Sequence, residues 1–439
     1  MTTFDTIVAP ATALGRGALA IVRIDGPGSS GILRALAGIL PLDRVATLTE
    51  IRIDGQVLDQ CVVVRYVAPR SFTGNDLVEL TLHGSPAVVE RVVAACVGLG
   101  ARIAEPGEFT ERAVLNGKMD LVQAESIADL VDARTTLQAK LSLMNLDGLL
   151  SRQATRIRAS LLHVISRLEA ALDFSEEGYE FISRDDARLQ VETTLADVRA
   201  IAETYRRGRA TRAGLSLVIL GRPNAGKSTL LNRLVGSERA IVTPIPGTTR
   251  DIVRETIDIG GLPVTIADTA GLRASGDEVE KIGVGRARDA ARDADIVLYL
   301  IDAAGGRDAI DDAELLALAE KFVIVVETKA DLVRAGGVAI SAKTGEGIDA
   351  LLRTLDRVVR ETFAAPEQSP TIVNERQRAA IAECETALKA VLESLAAAAD
   401  EQYLVVDLYR AANALGSLTG VISNDEILRE IFSKFCIGK

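Results

Sequence analysis

The 439-residue sequence predicts a mixed α/β and α chain: an N-terminal α/β domain, a helical domain, and a P-loop α/β domain with a mostly parallel sheet inserted into the helical one. Three observations predict it. From 213 to about 360, short apolar runs alternate with loops and helical stretches, the signature of a parallel sheet covered by helices. From about 119 to 210, Gly and Pro almost vanish and apolar residues recur at helical spacing. After "AAPEQSP" (364–370), which reads as a linker, the helical pattern resumes. Helices on both sides of a compact α/β unit mark it as an insertion, giving domains at 1–118, 119–212, 213–363 and 364–439.

In order along the chain, "ALAIVRI" (18–24), "CVVVRYV" (61–67) and "DLVELTLHG" (76–84) are Val-, Leu- and Ile-rich strands. "SPAVVERVVAACVGLG" (85–100) reads as a helix with Ser85 as its cap, Pro86 at its first position and Gly98 or Gly100 at its end. Ile127, Leu130, Leu137, Leu141 and Met144, then Leu161, Ile165, Leu168 and Leu172, are helix-core stripes. The acidic "DFSEEGYE" (173–180) is a solvated break. "LSLVILG", "LPVTIAD", "DIVLYLID", "KFVIVVETKAD" and "GVAISAK" supply the inserted sheet. In the last helix, "NDEILREIFSKF", Asn424 is placed as the cap, and Ile427, Ile431 and Phe435 share a docking face.

Composition narrows the function. The charged fraction of 25% and hydrophobic fraction of 48% are ordinary for a globular protein, while aromatics reach only 3% and Trp is absent. Four widely spaced cysteines make neither a zinc site nor a disulfide framework. No basic-then-apolar leader opens the chain, so a reducing cytoplasm is the expected location, and no apolar run is long enough for a membrane span. A net charge of −11 argues against a protein that grips nucleic acid alone, although a basic partner could present RNA to it.

"GRPNAGKS" (221–228) fits G-x-x-x-x-G-K followed by Ser, with a strand leading in and a helix leading out. Gly221 and Gly226 let the backbone curl so that N–H groups face phosphates, and the helix N-terminus adds its positive end. Lys227 is placed to reach the β- and γ-phosphates and Ser228 to ligate Mg²⁺, with Asn224, Ala225 and Thr229 in the same loop. "DTAG" (268–271) supplies Asp268, Thr269, Ala270 and Gly271: the carboxylate holds Mg²⁺ through water and the Gly271 N–H faces the γ-phosphate. "PGTTRD" (246–251) occupies the switch position, where Thr249 completes the Mg²⁺ shell. "TKAD" (328–331) offers Thr328, Lys329, Ala330 and Asp331, whose carboxylate, if buried there, accepts guanine N1–H and the 2-amino group and rejects adenine. In "SAKTGEG" (341–347), the backbone of Ser341, Ala342 and Lys343 is placed against guanine O6. Five elements in this order predict a GTP site. Two departures stand out. Thr328 replaces the usual Asn, so the bracing of the phosphate loop and guanine affinity are expected to weaken. Leu272 follows "DTAG" where small regulatory GTPases carry a water-orienting Gln.

With "DTAGLR", "DEVEKIG" and the terminal "FCIGK", and with "DTIVAPAT", "GRGALAIVRI", "SFTGND", "EPGEFTERA" and "NGKMDLVQAESIADLVDA", the chain resembles, over essentially its whole length, the MnmE (TrmE) family of tRNA uridine-modifying GTPases. The resemblance implies a homodimer through the N-terminal, folate-binding domain. It implies a heterotetramer with the FAD protein MnmG (GidA), tRNA as substrate, and no membrane. The reaction implied is addition of a carboxymethylaminomethyl or aminomethyl group to C5 of the wobble uridine, with the one-carbon unit from a 5-formyl or 5,10-methylene tetrahydrofolate. It further implies K⁺ held by Asn224, Thr243, Ile245 and Thr248, within a nucleotide loop that also contains Pro244, Pro246 and Gly247. Glu280 matches the residue that orients the attacking water, and Arg23, Glu79, Lys118 and Lys439 match folate positions. A monovalent cation beside the phosphates would supply the charge an arginine finger otherwise gives.

A ribosome-assembly GTPase switch is the alternative, but such proteins tend to carry a basic RNA-binding module with a GXXG loop, and none is found outside the insert. A lipid-anchored GTPase is disfavoured, because "CIGK" fits a C-a-a-X signal poorly and no polybasic tail precedes it. Cys436 is read instead as a thiol that assists one-carbon transfer in the folate pocket, with a plain gap-filling thiol as the alternative.

Overall fold

Apolar side chains alternating with polar ones build the first sheet from β1 (Ile7–Pro10), β2 (Leu19–Asp25), β3 (Thr47–Ile53), β4 (Gln56–Tyr66), β5 (Leu77–His83) and β6 (Arg102–Ile103), in the order β3-β4-β5-β2-β1-β6. All neighbours are antiparallel except β1 and β6. Val22, Ile24, Leu80 and Leu82 pack in one core with Ile32 and Leu33 of α1 (Ser29–Ala37) and Val92 and Cys96 of α2 (Pro86–Gly98). The period of two turns the intervening Arg23 and Glu79, paired in register, to the other face. Ser85 stands at the N-cap of α2 in extended conformation, but its side chain makes no capping bond. Pro86 starts the helix without it, since its missing N–H and fixed φ suit the first turn. Then follow α3 (Glu108–Leu115) and α4 (Leu121–Asp132).

The computed structural model describes residues 5–174, 181–236, 239, 241, 254–267, 290–332, 338–365, 369–422 and 425–438. They form two compact units: Met1–Ala128, Ala154–Leu162 and Tyr409–Lys439 in one, Asp129–Gln153 and His163–Leu408 in the other. In the second unit, α5 (Thr136–Leu146) begins with a reciprocal capping box between Thr135 and Gln138. After α6 (Leu149–Asp173), α7 (Arg184–Ala202), capped by Ser183, and α8 (Tyr205–Ala213), the chain enters a second sheet. Its strands are β7 (Leu215–Gly221), β8 (Arg254–Ile259), β9 (Leu262–Ala267), β10 (Ile296–Asp302), β11 (Phe322–Thr328) and β12 (Val338–Ala339), in the order β12-β11-β10-β7-β9-β8. The sheet is parallel except for the β8–β9 hairpin at its edge. "RETIDI" of β8 opens on three polar residues and alternates only after them, so it carries no continuous apolar run to predict it as a strand.

Helices α9 (Lys227–Val235), α10 (Ala309–Ala317) and α11 (Ile348–Thr362) accompany this sheet, and both of its faces are apolar. Leu217, Ile219, Ile266 and Leu298 meet Leu230, Leu234, Leu351 and Leu355 on one side; Val218, Val297 and Tyr299 meet Ala291 and Leu318 on the other. The tip of the β8–β9 hairpin is held tightly. The Gly260 N–H donates to Asp356 Oδ1 at 2.7 Å, and a Cβ on Gly261 would lie 3.2 Å from the Leu137 side chain of α5. Helix α12 (Glu375–Ala396) packs along α7, with Arg199 paired to Glu385 at 3.1 Å. Among the described residues no helix is long and apolar enough to cross a membrane.

Helix α13 (Glu401–Thr419) carries the chain from the second unit into the first and leads to α14 (Asp425–Phe432). The expected docking face of α14 is met at Phe435 and in part at Ile431, and it also takes in Leu428 and Phe432, which were not expected. Leu428, Phe432 and Phe435 are the buried residues, packed on Leu121 and Ala124, with Ile431 only partly buried. The side chain of Ile427 and the expected cap Asn424 lie outside the described residues. The rings of Phe432 and Phe435 stand 5.4 Å apart, a pair that contributes about 0.5–1.5 kcal/mol beyond burial.

Candidate functional site

Strand β7 delivers the chain into the phosphate loop. Gly221 sits at φ 138, where a Cβ would lie 2.4 Å from the Leu300 carbonyl oxygen, so only glycine turns here. Asn224 (φ 63) and Gly226 (φ 90) are left-handed, and such reversals gather successive N–H groups into an anion-binding concavity. Helix α9 begins immediately after it, with the unpaired N–H groups and positive end of its first turn, at Lys227, Ser228 and Thr229. The half-buried Lys227 ammonium donates to the carbonyls of Gly221 (2.7 Å) and Arg222 (2.6 Å), and no carboxylate among the described residues pairs with it. Burial holds its pKa below the ordinary lysine range. A cation held by neutral carbonyls is ready for an anion.

The base side is built from the ends of β10, β11 and β12. The Thr328 hydroxyl, 2% exposed, donates toward the Ala225 carbonyl at 2.9 Å, with the Ile301 carbonyl at 3.2 Å. The expectation that Thr328 forfeits the brace on the phosphate loop is therefore corrected: the shorter side chain reaches the loop through its hydroxyl. Lys329 (φ 60) extends to Asp302 at 2.5 Å, and this bond holds the Asp302 carboxyl below the usual carboxylate range. The Ala330 N–H donates to Ile340 and the Ile340 N–H to Glu327, which ties "TKAD" to the "SAK" loop. Ser341 is buried, with its Oγ accepting from the Thr344 N–H at 3.2 Å; Ala342 and Lys343 follow at the rim. Asp331 is exposed rather than buried as expected, so the rejection of adenine requires the bound base itself to cover it. We expect Asp331→Asn to weaken GTP binding about ten- to a hundredfold and to favour xanthosine triphosphate, whose 2-oxo group accepts from the new amide. Parallel titrations with the two nucleotides check this; unchanged GTP affinity removes Asp331 from the base site.

Thr243, Pro244, Ile245, Pro246, Gly247, Thr248, Thr249, Asp268, Thr269, Ala270, Gly271, Leu272, Glu280 and Lys439 lie outside the described residues.

In the first unit, Arg23 and Glu79 form a forked ion pair, Nη2 to Oε1 at 2.7 Å and Nε to Oε1 at 3.0 Å, and the Tyr66 hydroxyl donates to Glu79 Oε2 at 3.2 Å. The Arg23 guanidinium also lies 5.3 Å from the Phe72 ring centre and 5.6 Å from that of Phe109. Beside this group a cavity of about 410 Å³ is lined by Arg44, Tyr66, Arg70, Ser71, Phe72 and Lys118. Lys118 donates to the Pro69 carbonyl at 3.0 Å. The C-terminal tail reaches the same region: Arg23 Nη1 donates to the Gly438 carbonyl at 3.5 Å, and the Gly107 N–H to that of Cys436 at 3.4 Å. Gly438 has φ 92, and a Cβ there would lie 1.9 Å from the Pro10 oxygen, so the tail fits only as glycine. Cys436 is exposed, whereas Cys61, Cys96 and Cys384 are buried, their thiols pushed up to about 12 chiefly by desolvation.

Residues 6–118 match the family described as the GTP-binding protein TrmE N-terminus, and residues 121–436 match the MnmE helical domain. The chain belongs to the MnmE family. The tRNA modification GTPase MnmE of Azoarcus sp. (strain BH72) is 41% identical over 448 residues, covering 99% of this chain and 98% of the relative. The tRNA modification GTPase MnmE of Paramagnetospirillum magneticum (strain ATCC 700264 / AMB-1) is 42% identical over 444 residues, covering 99% and 100%. A crystal structure of Aquifex aeolicus Era bound to GDP.AlF4- is 28% identical, covers 39% of this chain and 66% of its own, and has a TM-score of 0.28, too slight to carry weight. As an MnmE-family chain the protein is a P-loop GTPase with a TrmE N-terminal domain and a helical domain.

Beyond the residues matched by motif, the structure adds a support of the phosphate loop that sequence reasoning missed. The Arg222 guanidinium lies against Asp308 and Asp311 at the start of α10, with Nε 3.2 Å from Asp311 Oδ1, and the Tyr299 hydroxyl donates to Asp311 at 2.9 Å. Tyr66, Phe72, Arg44 and Arg70 were missed as well; they come from separate elements, and no local spacing announces them.

Proposed function

We propose that this chain is the GTP-hydrolysing subunit of a tRNA-modifying complex, which adds a carboxymethylaminomethyl or aminomethyl group to C5 of the wobble uridine using a tetrahydrofolate one-carbon unit. The observation that carries the reading is a braced phosphate loop whose lysine pairs with no carboxylate among the described residues, in a chain that aligns along 99% of its length with proteins named tRNA modification GTPases. The donor set fits GTP and Mg²⁺. Lys227 is held only by carbonyls among the described residues, Ser228 stands in the first turn of α9, and Thr249 and Asp268 would complete the shell. Mg²⁺ supplies charge neutralisation across the phosphates when bound. Asn224, held left-handed in the loop, fits a share in K⁺ ligation with Thr243, Ile245 and Thr248, and Glu280 orients the attacking water.

The N-terminal cavity fits a tetrahydrofolate. Its cationic rim of Arg44, Arg70 and Lys118 suits an anionic glutamate tail, and Phe72 offers a ring face to a pterin. Glu79 already accepts from Arg23 and Tyr66, so its second oxygen is the edge it can share with an amino group. The folate supplies the one-carbon unit when bound. The tail that carries the Cys436 thiol reaches this region in the same chain through Cys436 and Gly438, and Lys439 would follow them. A homodimer through the N-terminal domain, and a complex with the FAD protein MnmG that presents tRNA, complete the assignment.

Hydrolysis is expected to run about ten- to a hundredfold faster in K⁺ than in Na⁺ at equal ionic strength, because the cation takes the place of an arginine finger. Phosphate release in the two salts measures it, and equal rates remove the K⁺ assignment. Binding of 5-formyltetrahydrofolate to the purified chain tests the folate half; no binding, in a chain that hydrolyses GTP, returns it to a GTPase without folate chemistry.

A further inference from the structure

The base-loop Thr328 is a departure with a chemical consequence of its own. A hydroxyl has one proton to donate. The Thr328 proton is directed between two carbonyls, Ala225 at 2.9 Å and Ile301 at 3.2 Å, and the side chain is 2% exposed. Nothing is left on it to donate toward a base. The neighbouring Lys329 ammonium is turned to Asp302 at 2.5 Å. An asparagine in this position would own two amide protons, one for the loop and one for the base.

We propose that this chain binds guanine nucleotides without reading the purine N7, the Thr328 hydroxyl serving as a brace for the phosphate loop alone. The inference rests on the guanine-nucleotide reading above. N7 is an acceptor in adenine and guanine alike, so leaving it unread costs affinity and leaves the choice between the two bases intact. That choice falls to Asp331, for N1–H and the 2-amino group, and to the backbone at Ser341, Ala342 and Lys343, for O6. Thr328 is thus a positioning residue: it ties the end of β11 to the loop that holds the phosphates.

The test is titration of the full chain with GDP and with 7-deaza-GDP, in which N7 becomes a C–H, both with Mg²⁺. Wild type is expected to bind the two within about twofold, whereas Thr328→Asn is expected to prefer GDP by about three- to tenfold, the worth of one hydrogen bond. Thr328→Val, close to the same shape without the hydroxyl, is expected to weaken both nucleotides equally. A wild type that prefers GDP by three- to tenfold overturns the inference, and a Thr328→Val variant that binds GDP as tightly as wild type overturns the brace. A wild type that binds neither nucleotide, tested beside ATP, overturns the guanine-nucleotide reading beneath both.

Discussion

Lys227→Ala is expected to lower GTP affinity by about 2–5 kcal/mol, roughly thirty- to several-thousandfold, with little change in melting temperature. Without nucleotide the ammonium only bridges the carbonyls of Gly221 and Arg222. The site is half open, so water can take over both acceptors, and the fold loses little. With nucleotide the same ammonium would be the charge that meets the phosphates in a partly desolvated loop, where truncation costs most. Titration calorimetry and thermal melting on one preparation separate the two effects; a fall in melting temperature that matches the loss of binding would make Lys227 a structural residue. Glu280→Ala is the complement. It is expected to bind GTP normally and to lose turnover by about a hundredfold or more if, as proposed, Glu280 acts on the attacking water. Normal turnover would return Glu280 to an ordinary surface carboxylate.

The tail supports the second large effect. Gly438→Ala places a methyl group 1.9 Å from the Pro10 oxygen at a φ of 92, which no side-chain adjustment relieves. The tail must leave its place, while α14 stays docked through Leu428, Phe432 and Phe435. We expect Gly438→Ala to keep GTP hydrolysis and to lose tRNA modification, assayed with the proposed flavoprotein partner, by about a hundredfold or more; the same loss is expected of Cys436→Ser if its thiol has the proposed role. If Cys436→Ser modifies tRNA normally and Gly438→Ala does not, the tail positions the pocket and the thiol is idle. Normal modification by both variants would detach the tail from the reaction.

The phosphate loop was legible because the motif for it is contiguous: Gly221, Asn224, Gly226, Lys227 and Ser228 lie within eight positions, bounded by a strand and a helix. The parallel strands were legible for a similar reason, since burial on both faces writes an unbroken apolar run. What escaped depended on distance or on one rotation. Thr328 braces Ala225 across 103 positions, and no spacing rule reports whether a hydroxyl replaces an amide there. The N-terminal cavity gathers residues from 44 to 118, each ordinary in its own neighbourhood. On α14, Ile427 with Ile431 and Leu428 with Phe432 are both i, i+4 stripes, so the periodicity alone did not single out Leu428 and Phe432, whose burial on Leu121 and Ala124 the packing shows.

The clamped tip of the β8–β9 hairpin has a mechanical consequence. Each strand has six residues, about 20 Å of stiff ribbon, anchored at the glycine turn by Asp356 of α11 and Leu137 of α5. By chain connectivity, the segment with Thr249 enters the far end and "DTAG" leaves it. The ribbon's free strand is β8, since β9 is also laddered to β7 at the end where these segments join. A displacement there cannot dissipate in a loose turn; it must strain that ladder, bend the strands or push α5. The glycines serve here as a tight hinge pin, and lengthening the turn by even two residues would introduce slack into that linkage while leaving every nucleotide-binding side chain in place.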